Sequence, residues 1–100
     1  MKIYSEGTIL HVTELSELNA ANAPAVRDKV RAALKPETMA VELDLSDAKF
    51  IDSSGLGALI ALQKTMATRE GVFRVVNPTS MVVQVLELTR LHRVLEIVRK

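Results

Sequence analysis

Residues 39–57 read MAVELDLSDAKFIDSSGLG, and this stretch decides the fold class. Within the strand that we expect over residues 39–45, apolar side chains at 41, 43 and 45 alternate with acidic ones at 42 and 44, which is the period of a strand with one buried face. The run DSSGLG at 52–57 then joins this strand to an apolar helix that we expect over residues 55–69. A strand that leads through a short turn into a helix predicts an α/β fold.

The flanking segments continue this alternation of strands and helices. Before it we expect a β-hairpin, then a loop and a helix: strands Ile3–Ser5 and Thr8–Val12 around a turn at Glu6-Gly7, a loop at 13–22, and a helix from Asn22 or Pro24 to Lys35-Pro36. After it we expect a strand, a helix and a last strand, at 72–76, 79–88 and 94–98. The order β-β-α-β-α-β-α-β predicts a small mixed β-sheet flanked by helices that lie mainly on one face.

The composition fits one folded domain, residues 1–100, with an aliphatic core, because 48% of the residues are hydrophobic and only 3% are aromatic. The 13 basic and 12 acidic residues leave a net charge of +1. This balance provides no basic field for nucleic acid and no polybasic patch for a membrane. The chain has no cysteine, and no apolar run approaches the ~18 residues of a spanning helix. We therefore expect a cytoplasmic protein.

The sequence contains no recognisable catalytic motif. Ser53 would need a positioned base to act as a nucleophile, and the run around it lacks the Gly-x-Ser-x-Gly pattern. His11 and His92 lie outside any motif, and the acidic residues between 44 and 52 do not have calcium-loop spacing. No glycine-rich phosphate loop is present. We therefore expect no enzyme activity, no metal and no cofactor.

Two serines and two glycines lie where the strand gives way to the helix. The simplest interpretation of Ser53 and Ser54 is that their hydroxyls cap free backbone N–H groups. The same position favours a phosphate, because the helix dipole and those N–H groups attract anions, so the loop is also a candidate switch. A side chain at Gly55 would hinder a tight turn or a close partner backbone. We therefore expect Gly55→Val to weaken partner binding while leaving much of the fold intact.

The stretch Phe50–Gly57 resembles the STAS domain, and more closely the stand-alone bacterial anti-sigma-factor antagonists. Residues 75–79 and 86–89 resemble the family's strand, turn and third helix, so the resemblance covers nearly the whole chain. It implies that the first serine of the motif, Ser53, is the phosphorylation site. It also implies a partner-binding surface around that serine, formed by Asn19, Asp52, Ser54, Gly55, Leu56 and Gly57.

The resemblance further implies a partner-switching cycle. In that family the unphosphorylated antagonist binds an anti-sigma factor, which is an ATP-dependent serine kinase, and this frees a sigma factor for transcription. The phosphorylated antagonist is released, and a PP2C-type phosphatase resets it.

One stretch departs from the family pattern. The family often has Gly-x-Leu-Asp near the end of the second strand, and this chain has Ser16 and Asn19 at the aligned positions. Asn19 keeps hydrogen-bonding groups but loses the charge, which affects an electrostatic contact with the kinase. Two other functions stay open. One is a non-phosphorylated STAS subunit of a lipid-transport ABC complex, whose loop more often contains threonine, and the other is a small enzyme using Ser53.

Overall fold

The computed structural model describes residues 1–100 and confirms the predicted order of elements. There are five strands, three α-helices and one short 3₁₀ helix: β1 (Lys2–Glu6), β2 (Ile9–Thr13), α1 (Ala23–Ala33), β3 (Ala40–Asp44), α2 (Ser53–Thr68), β4 (Val72–Val76), α3 (Ser80–Leu88), the 3₁₀ helix (Leu91–Arg93) and β5 (Glu96–Val98). The last strand is shorter than expected, because the 3₁₀ helix ends only at Arg93.

The strands form one mixed sheet in the order β1-β2-β3-β4-β5. β1 and β2 are antiparallel, and the other neighbouring pairs are parallel. The hairpin turn is Gly7-Thr8, one residue later than expected, since Glu6 still pairs with Ile9. Gly7 has φ +61°, and a positive φ at the first of two turn residues is what a type II′ hairpin requires.

The two faces of the sheet differ in what covers them. On one face, apolar side chains of the strands and of all three helices form a single cluster of 21 buried residues. Val41 and Leu43 of β3 point into this cluster, as the sequence period predicts, and so do Val26 of α1 and Leu59 of α2. The predicted one-sided arrangement of helices is therefore confirmed.

The other face carries a row of mostly polar side chains, one from each strand. The strand register aligns Tyr4, His11, Glu42, Arg74 and Glu96 across the sheet. We call these five residues the polar row. The Tyr4 and His11 rings are stacked with centroids 4.9 Å apart, and His11 is half-buried.

Glu42, at the centre of the polar row, is buried in spite of its charge, with 6% of its surface exposed. Its carboxylate accepts a hydrogen bond from Lys100 Nζ at 2.5 Å and one from Arg74 Nη1 at 3.3 Å, and His11 Nδ1 lies 3.8 Å away. Burial alone would raise the pKa of Glu42, but the hydrogen bond and charge of Lys100, with the charge of Arg74, hold it below the ordinary value. The alternation in β3 correctly predicts that Glu42 points to the sheet face opposite the core cluster, but it does not predict that Glu42 is buried.

Candidate functional site

Two loops lie side by side beyond the carboxyl ends of β2 and β3. The Lys49 N–H donates to the Ser16 carbonyl at 2.8 Å, and the Leu18 N–H donates to the Phe50 carbonyl at 2.9 Å. The Asp52 N–H then donates back to the Leu18 carbonyl at 3.3 Å. These backbone bonds continue the parallel pairing of β2 and β3 past the sheet, so the start of α2 has a fixed place relative to the first loop.

Asp52 caps α2 and joins it to the first loop. Its Oδ1 accepts a hydrogen bond from the Gly55 N–H at 2.9 Å, and its Oδ2 accepts one from the Ala20 N–H at 3.1 Å. The Gly55 N–H is the main reason that the pKa of Asp52 lies below its ordinary value, and the Ala20 N–H adds to the effect. The side chain is therefore an ionised brace between two segments that are distant in sequence.

Ser53 and Ser54 are the first two residues of α2, so the helix begins two residues earlier than expected. Both are exposed, and neither hydroxyl makes a hydrogen bond within the chain. The interpretation of these serines as caps is wrong, because the Asp52 carboxylate performs that role. Both hydroxyls are accessible to another molecule.

The two glycines of the motif have different surroundings. A Cβ on Gly55 would overlap the Leu18 carbonyl oxygen and come within 2.8 Å of Ile51 Cγ1. A Cβ on Gly57 would meet nothing within 4 Å. The expectation that Gly55→Val leaves much of the fold intact is therefore wrong: Gly55 is buried against the chain's own backbone, and Gly57 is the glycine whose backbone faces outward.

Asn19 lies beside this helix start but is engaged within its own loop. Its Oδ1 accepts a hydrogen bond from the Ala21 N–H at 2.9 Å, and its N–H donates to Asn22 Oδ1 at 2.8 Å. Leu56 is half-buried and packs against the core cluster. The structure thus brings Asn19 and the DSSGLG run together, with Gly55 and Leu56 turned inward.

Two neighbouring features were not singled out from the sequence. Phe50, just before the motif, is 51% exposed, whereas the next residue, Ile51, is buried. Neighbouring residues of an extended segment point in opposite directions, and this alternation could have indicated the exposure of Phe50. Between α1 and α2, a cleft of about 310 Å³ is lined by Ser54 and Gly57 together with Arg27. Arg27 gave no sequence signal, because its neighbourhood depends on how the two helices pack.

The structure offers no partner for a nucleophilic Ser53. His11 stacks on Tyr4, and His92 Nδ1 lies 3.4 Å from the Leu86 carbonyl oxygen. No hydrogen bond joins either imidazole to Ser53.

None of the helices has both the length and the apolar composition needed to span a bilayer.

Comparison with known families agrees with this geometry. The sequence profile of the STAS domain matches residues 1–100. The chain belongs to the STAS domain family. The predicted resemblance and fold are therefore confirmed.

The most informative relatives of this STAS chain carry related descriptions. An anti-sigma-B factor antagonist of Listeria monocytogenes is 25% identical over 81 residues, which are 81% of this chain and 71% of that protein. A Thermotoga maritima protein described as a "putative anti-sigma factor antagonist" is 40% identical over 55 residues, which are 55% of this chain and 49% of that protein. The aligned part thus spans about half the length of the Thermotoga relative.

A solved structure extends the similarity to the whole fold. The crystal structure of a Thermotoga maritima protein with that same description superposes with a TM-score of 0.89 at 29% identity. The superposition covers 99% of this chain and 85% of the other. The order and packing of the elements are therefore those of a STAS domain throughout.

Proposed function

We propose that this STAS chain is an anti-sigma factor antagonist that works by partner switching. The unmodified protein binds an anti-sigma factor through the start of α2, and phosphorylation of Ser53 releases it. The observation that carries the proposal is the exposed Ser53 at the first position of α2, whose hydroxyl has no partner within the chain. The descriptions of the Listeria and Thermotoga relatives agree with this proposal.

The start of α2 suits a surface that another protein reads. Asp52 and the paired loops hold it in place, so little conformational entropy is lost when a partner docks there. Exposed Phe50 supplies an apolar contact, and the bare backbone at Gly57 permits close approach. Asn19 and Ser54 add polar groups at the edge of this surface. Gly55 and Leu56 shape this surface from beneath.

A phosphate at Ser53 changes the charge of this surface by about −1.5 to −2 near neutral pH. Within the domain, the helix dipole favours that charge by a few tenths to about 1 kcal/mol. Against a bound partner, a like charge ~4 Å away at an effective dielectric near 20 costs about 4 kcal/mol. Since about 1.4 kcal/mol is tenfold in affinity, the modification weakens binding on the order of a thousandfold.

In this cycle the chain is a substrate and a regulator rather than an enzyme. The anti-sigma factor acts as an ATP-dependent serine kinase. A bond forms between Ser53 Oγ and the γ-phosphorus of ATP, ADP leaves, and the hydroxyl proton passes to a base on the kinase. A PP2C-type phosphatase hydrolyses the phosphoserine and returns the serine and inorganic phosphate. The site and its partners are cytoplasmic in this proposal.

Intact mass after incubation with the cognate anti-sigma factor and ATP tests the function. We expect one added phosphoryl group in the wild type and in Ser54→Ala, and none in Ser53→Ala. Ser54→Ala is a matched control because both serines are exposed in the same helical turn. Phosphopeptides that place the label on Ser54 or on a threonine would contradict the assignment. A chain that binds a transporter ATPase and takes up no phosphate would favour the transport-subunit alternative.

A further inference from the structure

β1 is a free edge of the sheet, and its backbone is arranged for pairing. Because the hairpin turn has two residues, Glu6 and Ile9 form the pair that closes it by hydrogen bonding. Hydrogen-bonded and non-hydrogen-bonded pairs alternate along an antiparallel ladder. The backbone groups of Lys2, Tyr4 and Glu6 therefore face β2. Those of Ile3 and Ser5 face outward.

The side chains of β1 are self-complementary in one arrangement. Lys2, Tyr4 and Glu6 share the face of the polar row, with a charge of opposite sign at each end. In an antiparallel pair of two such strands, centred on Tyr4, each Lys2 lies opposite Glu6 of the second copy. The same register pairs the outward N–H and C=O groups of Ile3 with those of Ser5.

We propose that two copies of this chain associate through β1 in this register, about a two-fold axis at Tyr4. The result is one continuous sheet with five strands from each copy. Four backbone hydrogen bonds form, two for each Ile3–Ser5 pair. The Tyr4 rings and both Lys2–Glu6 pairs occupy non-hydrogen-bonded positions, where side chains on neighbouring strands come closest.

Charge selects this arrangement over the alternatives. In the other antiparallel registers that pair the outward groups, centred on Ile3 or on Ser5, no Lys2 lies opposite a Glu6. The opposite sheet edge, β5, has only three residues, and the segment that follows it is held by the hydrogen bonds of Lys100. Exposed charges on an edge strand usually oppose association, and here only the register centred on Tyr4 brings both charges of each strand opposite a charge of the other sign.

The helix side of this edge also offers apolar surface. A cleft of about 460 Å³ lies next to β1, and six of its eight lining residues are hydrophobic, among them Ile3, Leu10 and Leu34. A second β1 strand laid along the edge would extend over this cleft with its own Ile3. Burial of that surface adds to the backbone pairing.

The molecular mass in solution tests the dimer. Sedimentation equilibrium of the unphosphorylated chain should give twice the 11.0 kDa of one copy. Lys2→Glu and Glu6→Lys each create like-charge pairs on both sides of the axis, so each should weaken self-association roughly tenfold to a hundredfold. The double variant Lys2→Glu/Glu6→Lys restores the pairing and should restore the dimer. Glu87→Lys, at an exposed position of α3, is the matched control and should leave the dimer intact.

Ile3→Pro gives an independent test, because it removes an outward N–H that the hairpin does not use. The variant should be folded by circular dichroism and monomeric by sedimentation equilibrium. A wild-type protein that stays monomeric at about 100 µM would overturn the proposal. So would a dimer that resists the single charge reversals, or a double variant that does not recover. The dimer does not depend on the proposed function, since Ser53→Ala should remain dimeric while losing phosphorylation.

Discussion

Gly55 and Gly57 lie two residues apart in α2 but have opposite structural requirements. Gly55→Ala places a methyl group on the Leu18 carbonyl, and we expect it to lower the free energy of unfolding by about 1–3 kcal/mol or more. Gly57→Ala enters open space within a helix, so stability should stay equal or rise by up to about 1 kcal/mol. Urea denaturation measures both, with Gly57→Ala as the matched control. Equal stabilities would contradict the packing described for Gly55.

The difference between these glycines could not be predicted from the motif. Both occur in one short run, and the sequence predicts only that a strand-to-helix turn needs glycine. The atom that excludes a side chain at Gly55 is the Leu18 carbonyl, which reaches it through the pairing of the two loops. The exposure of Ser53 can be anticipated from its place at the helix start. The role of Asp52 as the N-cap of α2 was not predicted.

Asp52 provides a second prediction at the residue scale. Asp52→Ala removes the acceptor for the Gly55 and Ala20 amides, so both should exchange hydrogen faster. Asp52→Asn keeps a side-chain oxygen for Gly55 and should protect that amide nearly as well as the wild type. In the wild type the pKa of Asp52 is lowered on folding, so the stabilisation that its charge contributes is complete above the ordinary value and is lost as pH falls through the lowered pKa. Unchanged exchange in Asp52→Ala would show that the brace is unimportant.

At the scale of elements, hydrophobic period was sufficient to locate the strands and helices. The alternation in β3 and the apolar stripe of α2 are local patterns, and they predicted type and order correctly. The burial of Glu42 cannot be predicted from neighbouring residues in the sequence. Its partners, Arg74 and Lys100, come from β4 and from the residues after β5, so they meet it only when the sheet is complete.

Glu42→Gln tests how much this network stabilises the sheet. At neutral pH we expect the free energy of unfolding to fall by about 1–3 kcal/mol, since two cations lose their carboxylate. Because the folded pKa of Glu42 is lowered, its stabilisation is present above the ordinary value and is lost as pH falls through the folded value. Wild type and variant should therefore converge in urea titrations as pH falls below the ordinary pKa of a glutamate and through the lowered pKa of Glu42. Glu96→Gln, at the exposed end of the polar row, should change stability by less than about 1 kcal/mol.

At the scale of the whole molecule, phosphorylation of Ser53 should leave the fold unchanged. The hydroxyl has no partner to lose, and the added charge lies at the favourable end of α2. NMR shifts should change at residues 52–57 and at Ala20, which the Asp52 carboxylate contacts, and stay constant in the polar row. Circular dichroism should be unaffected, while calorimetric affinity for the anti-sigma factor falls about a thousandfold. Widespread shifts across the sheet would indicate a conformational switch instead.

The brace between Ala20 and Asp52 joins groups 32 residues apart in the chain, and this separation affects when the protein can be regulated. A chain still being synthesised has no complete binding surface until β2, β3 and the start of α2 have emerged and paired. Until then, Ser53 lies in a segment without a fixed helix start. In the proposed cycle, a kinase that recognises this helix start therefore modifies only chains in which these elements have paired, so newly made protein enters that cycle unphosphorylated.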